Sequence, residues 1–260
     1  MNNAPSESAS AQYYNAFWRR FKATADRHPA NIYRHQLIRG AIDRRAPNAE
    51  CLVDFGCGTG ALIKYLQAST GIRRFLGIDT SSEIVEFCKN TVPGAEFLQT
   101  DLQGKLAEPL IAAADIVVCS EVIEHLEQYK PLLQSAAQVV KPSGIFVLTT
   151  QGGKRRRHDI ELLGHLRHFN LDELAEDVRN CGFVIEEKWQ CGFPVLNLQK
   201  VLASLFFNRA KRELASEHEP SGLFRLACQI VGISLKFSTK YFGPQLVIVA
   251  RQPARYKDHR

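Results

Sequence analysis

Short apolar segments alternate with longer segments of helical periodicity along most of the chain. Seven segments are predicted to be strands, and they span residues 53–55, 74–79, 95–102, 115–120, 145–150, 183–190 and 245–250. The segments between most of them have the length and periodicity of helices. Strands separated in this way predict right-handed parallel βαβ units, so we expect an α/β fold whose central sheet is flanked by helices.

A glycine-rich loop follows the first predicted strand. Asp54 ends that strand, and three alternate glycines come next, Gly56, Gly58 and Gly60, with Cys57 between the first two. Without a Cβ, these glycines let a ligand approach the main chain closely. The spacing differs from the G-x-G-x-x-G pattern that surrounds a pyrophosphate, and the Asp54 carboxylate would repel such a group. The loop therefore favours a cationic or hydroxyl-bearing ligand and disfavours a nicotinamide-dependent oxidoreductase.

Further motifs follow in order along the chain. Asp79 and Asp101 come at or near the ends of the second and third strands, an E-V-I-E-H-L segment spans residues 121–126, and a K-P-S-G turn spans residues 141–144. Over roughly residues 30–190 and the final strand, this series resembles the class I S-adenosylmethionine-dependent methyltransferases. Ser143 departs from the family pattern, which has a glycine there. The resemblance implies a Rossmann-like sheet of seven strands, with the last strand antiparallel.

The resemblance also implies S-adenosylmethionine as the cofactor. Asp79 matches the residue that binds both ribose hydroxyls, Asp101 matches the residue that contacts the adenine amine, and Arg34 is a candidate for the methionine carboxylate. Asp79 could also serve as a helix cap, and Arg34 could be a surface residue. The complete set of candidate cofactor-binding residues is Arg34, Asp54, Gly56, Cys57, Gly58, Gly60, Asp79, Thr80, Asp101, Leu102 and Ser120.

Glu124, His125 and His168 are the candidate catalytic residues. A histidine has a pKa suited to removing a proton from a hydroxyl or ammonium acceptor, and in-line positioning of the acceptor supplies much of the remaining catalysis. The E-x-x-E-H arrangement also resembles RNA 2′-O-methyltransferases and ubiquinone-synthesis O-methyltransferases, which place such residues around a divalent metal. The alternative is therefore a metal site of Glu121, Glu124, His125 and His168, with His165 as a further candidate. We favour the reaction without a metal.

The chain is expected to form one domain over residues 13–260. Residues 1–12 are predicted to be disordered, and residues 13–45 are predicted to form helices that cover the cofactor pocket. The insertion at residues 194–243 is apolar and aromatic with interspersed basic residues, and it predicts a helical lid over the substrate. A dimer contact, a pocket for a lipid-like acceptor and a patch that meets an anionic membrane remain alternatives for this insertion.

The net charge and the cysteine content of the chain limit which partners and which cellular compartment are expected. The formal net charge is +6, and residues 154–157 form a basic run that is either a solvated loop or a clamp for a substrate phosphate or carboxylate. Nucleic acid is not favoured, because this run has no interleaved aromatic residues. The chain has seven cysteines but no C-x-x-C pair, no signal peptide and no apolar stretch of membrane-spanning length, so a cytoplasmic protein is expected.

These observations predict transfer of a methyl group to an oxygen, or less favourably a nitrogen, of a small or medium-sized metabolite that could be hydrophobic. One alternative is an RNA terminal 2′-O-methyltransferase, which the apolar insertion disfavours. The other is a non-catalytic cofactor-binding or membrane-associated interaction protein. The intact glycine loop and Asp79 count against this last possibility.

Overall fold

A seven-stranded sheet forms the centre of the protein. The computed structural model describes residues 12, 14–19, 28–101, 110, 112–205, 207–208, 231, 233–235, 237–239 and 241–254. The strands are β1 Cys51–Phe55, β2 Arg74–Asp79, β3 Glu96–Gln99, β4 Ala114–Ser120, β5 Val140–Gln151, β6 Val184–Cys191 and β7 Gln245–Arg251. Their order in the sheet is β3-β2-β1-β4-β5-β7-β6. The β7 strand pairs antiparallel with both neighbours, and the other pairings are parallel, so the predicted fold class is confirmed.

Helices pack on the sheet and connect its strands. They are α1 Pro29–Arg45, α2 Ala61–Gln67, α3 Ser82–Thr91, α4 Lys130–Val139, α5 Arg157–Glu161, α6 Leu171–Asn180 and α7 Val195–Leu205. Polar side chains cap the starts of α3 and α6, among others: Ser81 accepts a hydrogen bond from the Ile84 amide at α3, and Asn170 accepts bonds from two amides at α6. Residues 14–19 are helical as well, and Gln12, the last residue of the segment predicted to be disordered, is also in helical conformation.

Two apolar layers form the core, one on each face of the sheet. Phe146 of β5 lies in the first layer with Leu132 and Phe183, and Ile63 of α2 lies in the second with Ile38. All five residues of β1 are buried, because this strand lies between β2 and β4 and is covered on both faces. The carboxyl ends of β1, β2 and β4 therefore lie side by side at one edge of a rigid sheet.

Two strands differ in length from the sequence prediction. β3 ends at Gln99 rather than at residue 102, because it is an edge strand with three of its four residues exposed. β5 begins at Val140, earlier than predicted, because the turn before its central part also pairs with β4, through Ala114 and Val140. Ser143 in this turn has a φ of 66°, a conformation that glycine adopts more easily.

Two negative findings apply to the described residues. No helix among them is long and apolar enough to cross a membrane. Every cysteine among them is a free thiol, and all except Cys181 are buried. Buried thiols of this kind pack as small apolar side chains.

Phe146 is the side chain with which the core is best tested. It is fully buried and stacks on Phe183, with 5.3 Å between the ring centroids. We expect Phe146→Ala to lower the free energy of unfolding by about 3–5 kcal/mol, measured by urea denaturation, because the cavity would not close fully. The control is Val184→Ala, at a site where the side chain is exposed, which should change stability by less than about 0.5 kcal/mol.

Candidate functional site

The glycine loop folds back on the end of β2. The amides of Gly56 and Cys57 both donate to the carbonyl of Ile78, at 2.7 and 3.0 Å. Gly56, Gly58 and Gly60 all have positive φ angles, between 50° and 72°, which explains why glycine occurs at each of these positions. The three alternate glycines thus form a tight turn at the edge of the sheet, as the sequence predicted.

Asp79 lies directly beside this turn. Its carboxylate accepts hydrogen bonds from the amides of Gly58 and Ser81, each at 3.0 Å. Burial raises the pKa of Asp79, and the surrounding backbone amides oppose that shift. The residue that caps α3 is Ser81, so Asp79 does not have the alternative role of helix cap. The bonds to the amides fix the carboxylate in a position to accept ligand hydroxyl groups.

Asp54 is a second buried carboxylate at the same edge. Burial and the negative charge of Asp79 raise the pKa of Asp54 to about 8. A buried carboxylate that lacks a cation is stabilised by a ligand that supplies one. A ligand that brings an ammonium group to Asp54 would therefore stabilise its ionised form.

The N-terminal helical residues 14–19 cover the glycine loop. A Cβ built on Gly58 would lie 2.7 Å from the ring of Trp18. Asn15 accepts a hydrogen bond from the Ser81 hydroxyl at the start of α3, and Arg19 forms an ion pair with Glu83 of the same helix. These contacts hold the segment over the edge of the sheet where the loop and Asp79 meet.

Glu121 follows β4 and is held by polar side chains from three other elements. Its carboxylate accepts hydrogen bonds from the amides of Gln151 and Gln245, the latter at 2.9 Å, and it lies 3.5 Å from the Arg34 guanidinium. Burial alone would raise the pKa of Glu121, but Arg34 and the two amides lower it below its usual value. Arg34 thus lies at the candidate site with its charge matched by Glu121.

Val122 and Glu124 connect the E-V-I-E-H-L segment to the glycine loop and to the core. A Cβ on Gly56 would lie 2.4 Å from Val122, so this segment and the loop are in direct contact. Glu124 is fully buried and accepts a hydrogen bond from the Thr150 hydroxyl at 2.8 Å. Its other oxygen, Oε1, has no hydrogen-bond partner within the described part of the chain. Burial, together with the charge of Glu121, raises the pKa of Glu124 well above its usual value.

Three histidine rings form a row next to Glu124. The centroids of His125 and His165 are 4.9 Å apart, and those of His165 and His168 are 5.3 Å apart. Burial lowers the pKa of His125. Burial and the charges of the two neighbouring rings together lower the pKa of His165 to about 2. Burial and Lys200 lower the pKa of His168 to about 4. All three rings are therefore neutral near pH 7.

His168 lies behind His165 in this row. One ring nitrogen of His168 is 3.0 Å from Nδ1 of His165, and the other is 3.2 Å from the carbonyl of Gly153. Its side chain is almost entirely buried. Because both nitrogens are engaged, the structure places His165, rather than His168, next to His125 and Glu124. His168 therefore lies in a supporting position, and the prediction that it could act as the base needs this correction.

Asp159 and Lys200 form a buried ion pair behind the histidines. Lys200 of α7 places its Nζ 3.6 Å from Oδ1 of Asp159, and the same oxygen lies 3.1 Å from Nε2 of His158. Burial opposes ionisation of Asp159, but the hydrogen bond from His158 and the charge of Lys200 hold its pKa well below the usual range. This pair attaches α7, the first helix of the 194–243 insertion, to α5, which comes just before the loop with His165 and His168.

Possible metal ligands fall into two groups of three. Glu124, His125 and His165 form one group and Asp159, His165 and His168 the other, and within each group the ligand atoms lie within 4.8 Å of one another. Neither group contains Glu121, whose carboxylate is bound by Arg34 and two glutamines. The four residues predicted as an alternative metal site are therefore not brought together as one ligand set among the described residues.

The remaining predicted residues lie along the same edge or beyond it. Ser120 lies at the end of β4, where its hydroxyl is 2.9 Å from that of Thr149, and Thr80 follows Asp79 directly. Asp101 is exposed in the irregular chain after β3. Leu102 lies outside the described residues. No ligand contact is thereby assigned to Asp101 or Leu102.

Sequence reasoning missed Asp159, Lys200 and Gln245 and gave His165 only a secondary place. These residues come from four separate parts of the chain, and the fold alone brings them together. The sequence does distinguish His165 and His168 in one respect. Together with His158, they are the only histidines between β5 and β6. Gln245 begins the last strand, where a buried amide is unusual, and it gave no other signal.

Comparison with known proteins gives a family match over most of the sheet. The model of the methyltransferase domain family matches residues 30–188, more than half of the chain. A Mycolicibacterium smegmatis protein named "Probable S-adenosylmethionine-dependent methyltransferase" is 28% identical over 160 residues, which cover 59% of each chain. A ubiquinone biosynthesis O-methyltransferase from Saccharophagus degradans is 26% identical over 170 residues, 58% of this chain and 70% of that protein. The match thus spans little more than half the length of the first of these relatives.

The fold is also similar to solved structures. A chain from the complex between the Haloferax volcanii Trm112 methyltransferase activator and a methyltransferase superposes with a TM-score of 0.62 at 19% identity. The superposition covers 95% of this chain and 98% of that one. At this identity the similarity concerns the fold, and it supports the Rossmann-like architecture described above.

The Lys200–Asp159 pair can be tested by a double-mutant cycle. We expect Lys200→Met to lower the free energy of unfolding by about 3 kcal/mol, because it leaves a buried carboxylate without its cation. Adding Asp159→Asn should recover part of that loss, since the two changes act on one interaction. Urea denaturation of the single and double variants measures the coupling. Strictly additive losses would show that the two groups do not stabilise each other.

Proposed function

Because the chain belongs to the methyltransferase domain family, we propose that it uses S-adenosylmethionine to methylate an oxygen of a small or medium-sized hydrophobic metabolite. Methylation of a nitrogen is the less favoured form of the same reaction. The observation that carries the proposal is the position of Glu124 Oε1, a buried oxygen without a hydrogen-bond partner in the described part of the chain. It lies beside His125 and His165 and is connected through Val122 to the glycine loop.

In the proposed complex, the residues at the ends of β1 and β2 bind the cofactor. Asp54 would receive the ammonium group, Asp79 the ribose hydroxyls, and the bare backbone of Gly56 and Gly58 would contact the ligand closely. Arg34 is the candidate for the methionine carboxylate, although it would have to share its charge with Glu121. Asp101 remains the candidate for the adenine amine.

His125 is the candidate for the base that an alcohol or phenol needs. A hydroxyl loses its proton as it attacks the methyl group, and His125 follows closely in sequence after Val122, which contacts the glycine loop. Glu124 has a raised pKa and an oxygen without a partner, so it can hold the proton or accept a hydrogen bond from the acceptor. His165 and His168 support the orientation of the His125 ring from behind.

A metal-independent reaction is the proposed form. Glu121 and His168, two of the four ligands predicted for a metal, are engaged by other protein groups. Glu124, His125 and His165 could still hold a divalent ion, which would lower the pKa of a bound hydroxyl. Assays of the chelated enzyme with and without Mg²⁺, Mn²⁺ or Zn²⁺ separate the two forms.

An apolar acceptor is favoured over RNA. The part of the insertion next to the site, α7, has a predominantly apolar sequence, which would not bind a polyanion. The two cations at the site are already paired, Arg34 with Glu121 and Lys200 with Asp159, so neither is left for the phosphates of RNA. A short RNA is therefore included in the acceptor screen as the alternative.

Binding of the cofactor tests the roles of the two acidic residues. We expect Asp79→Asn to weaken S-adenosylmethionine binding by roughly tenfold to a hundredfold, because charge-assisted hydrogen bonds to the ribose would be lost. Isothermal titration calorimetry measures the dissociation constant. The matched control is Asp172→Asn at the exposed start of α6, which should leave it unchanged. Unchanged affinity in Asp79→Asn would contradict the assignment.

The pH dependence of binding tests Asp54. Its pKa of about 8 in the free protein means that it is mostly protonated at neutral pH, whereas a bound ammonium group favours the carboxylate. Binding should therefore release a proton, and affinity should rise with pH until about pH 8. Calorimetry in buffers of different ionisation enthalpy measures this release. In Asp54→Asn, only the proton exchange of the ligand itself should remain.

Single-turnover methyl transfer tests the catalytic cluster. Candidate acceptors are alkylated phenols, long-chain alcohols, hydrophobic amines and a short RNA. With the best acceptor, we expect Glu124→Gln and His125→Asn to lower the rate of the chemical step by roughly a hundredfold or more, with cofactor affinity nearly unchanged. His158→Asn, outside the row of rings, should have a smaller effect. Cofactor binding without transfer to any acceptor class would favour the non-catalytic alternative.

A further inference from the structure

One side of α7 exposes a row of leucines. Leu198, Leu202 and Leu205 are spaced by four and three residues, which places them on the same side of the helix, and all three are exposed, Leu205 by 71%. The opposite side carries the buried Leu196 and Lys200, whose Nζ is directed to Asp159. The helix is therefore fixed to the domain on one side, and its leucines are exposed on the other.

An aromatic turn extends this apolar surface at the start of α7. Phe237 and Tyr241 are exposed by 82% and 78%, and Phe242 is also exposed. The Phe193 amide donates to the carbonyl of Phe242 at 3.1 Å, and the Thr239 amide donates to that of Phe193 at 2.9 Å. Since Phe193 comes just before α7, the turn and the helix form one surface, which we call the lid face: Phe193, Leu198, Leu202, Leu205, Phe237, Tyr241 and Phe242.

Basic residues adjoin the other end of the lid face. Residues 154–157, the basic run of the sequence, are all exposed. The Arg157 guanidinium lies 4.4 Å from the centroid of the Phe207 ring, just past the end of α7, and His158 lies 3.1 Å from the Ser204 hydroxyl. Apart from the buried Lys200, residues 194–243 contain six lysines and arginines against three glutamates.

We propose that the lid face and residues 154–157 bind the surface of a membrane that contains anionic phospholipids. Exposed phenylalanine, tyrosine and leucine next to lysine and arginine match the two components of such a surface, the acyl boundary and the negatively charged headgroups. The proposal concerns a surface contact, and it does not depend on which acceptor is methylated.

Because α7 lies next to the candidate site, membrane contact through this helix would also affect the site. The same helix presents leucines to the lid face and Lys200 to the cluster of Asp159 and the histidines. A protein bound through the lid face would therefore hold the candidate site close to the bilayer. A hydrophobic acceptor could then pass from the membrane to the site with a short path through water.

Vesicle sedimentation with the full chain tests the proposal. The probes are vesicles of phosphatidylcholine alone and of phosphatidylcholine mixed with phosphatidylglycerol. We expect binding to the mixed vesicles, weaker binding to phosphatidylcholine, and a decrease with added salt. Lys154→Gln with Arg157→Gln should lower affinity by roughly thirtyfold, since each basic residue near an anionic surface contributes about fivefold. Phe237→Ser with Tyr241→Ser should lower it by at least about tenfold.

The matched control combines an exposed apolar and an exposed basic substitution elsewhere, Val184→Ser with Lys89→Gln. It should bind vesicles as the unchanged protein does. Calorimetric binding of S-adenosylhomocysteine, measured for each variant, shows that the domain remains folded. No binding to the mixed vesicles, or equal binding by all variants, would overturn the proposal. So would sedimentation velocity that shows a dimer dissolved by Phe237→Ser with Tyr241→Ser, because the lid face would then be a contact between two copies.

Discussion

The pairing of buried charges at the carboxyl edge of the sheet is the constraint on which the rest of the site depends. A carboxylate out of water is costly unless a cation or several hydrogen-bond donors accompany it. Glu121 has Arg34 and two glutamine amides, and Asp159 has Lys200 and His158. In the part of the chain that the structure describes, neither Asp54 nor Glu124 forms an ion pair, and burial raises the pKa of each. A cationic cofactor beside Asp54 and a hydroxyl acceptor beside Glu124 would therefore offset the cost of burying these two groups.

The ion pairs Arg34–Glu121 and Lys200–Asp159 also determine which helices lie next to the site. Arg34 comes from α1 and Lys200 from α7, so the helix before β1 and the helix between β6 and β7 are each attached to the site by a cation that enters the acidic cluster. Because α7 is attached in this way on its inner side, its leucines are directed outward. The apolar outer surface of the insertion and the polar interior of the site are thus two sides of one helix.

The sequence predicted the sheet, the glycine loop and the acidic residues at strand ends, because strand periodicity and glycine spacing are local signals. β1, β2 and β4 run along the buried centre, and their positions followed from their apolar content. The structure differs where the signal is not local: β3 is shorter at the exposed edge, and His165, Asp159, Lys200 and Gln245 meet only through the fold. Side-chain spacing within G-H-L-R-H-F could not decide which imidazole faces Glu124, since that depends on the direction of an irregular loop.

The backbone at Glu121 shows how the end of β4 is adapted to the site. Its φ of 58° is uncommon for a residue with a side chain, and such conformations persist only where surrounding contacts hold them. Here the contacts are the bonds from Gln151 and Gln245, the ion pair with Arg34 and the bond from the Glu121 amide to the Thr149 carbonyl. The resulting turn brings Val122 against Gly56 and places Glu124 in the core beside Thr150. Glu121 therefore acts as the anchor that positions Glu124, which explains why two acidic residues so close in sequence have opposite pKa shifts and different roles.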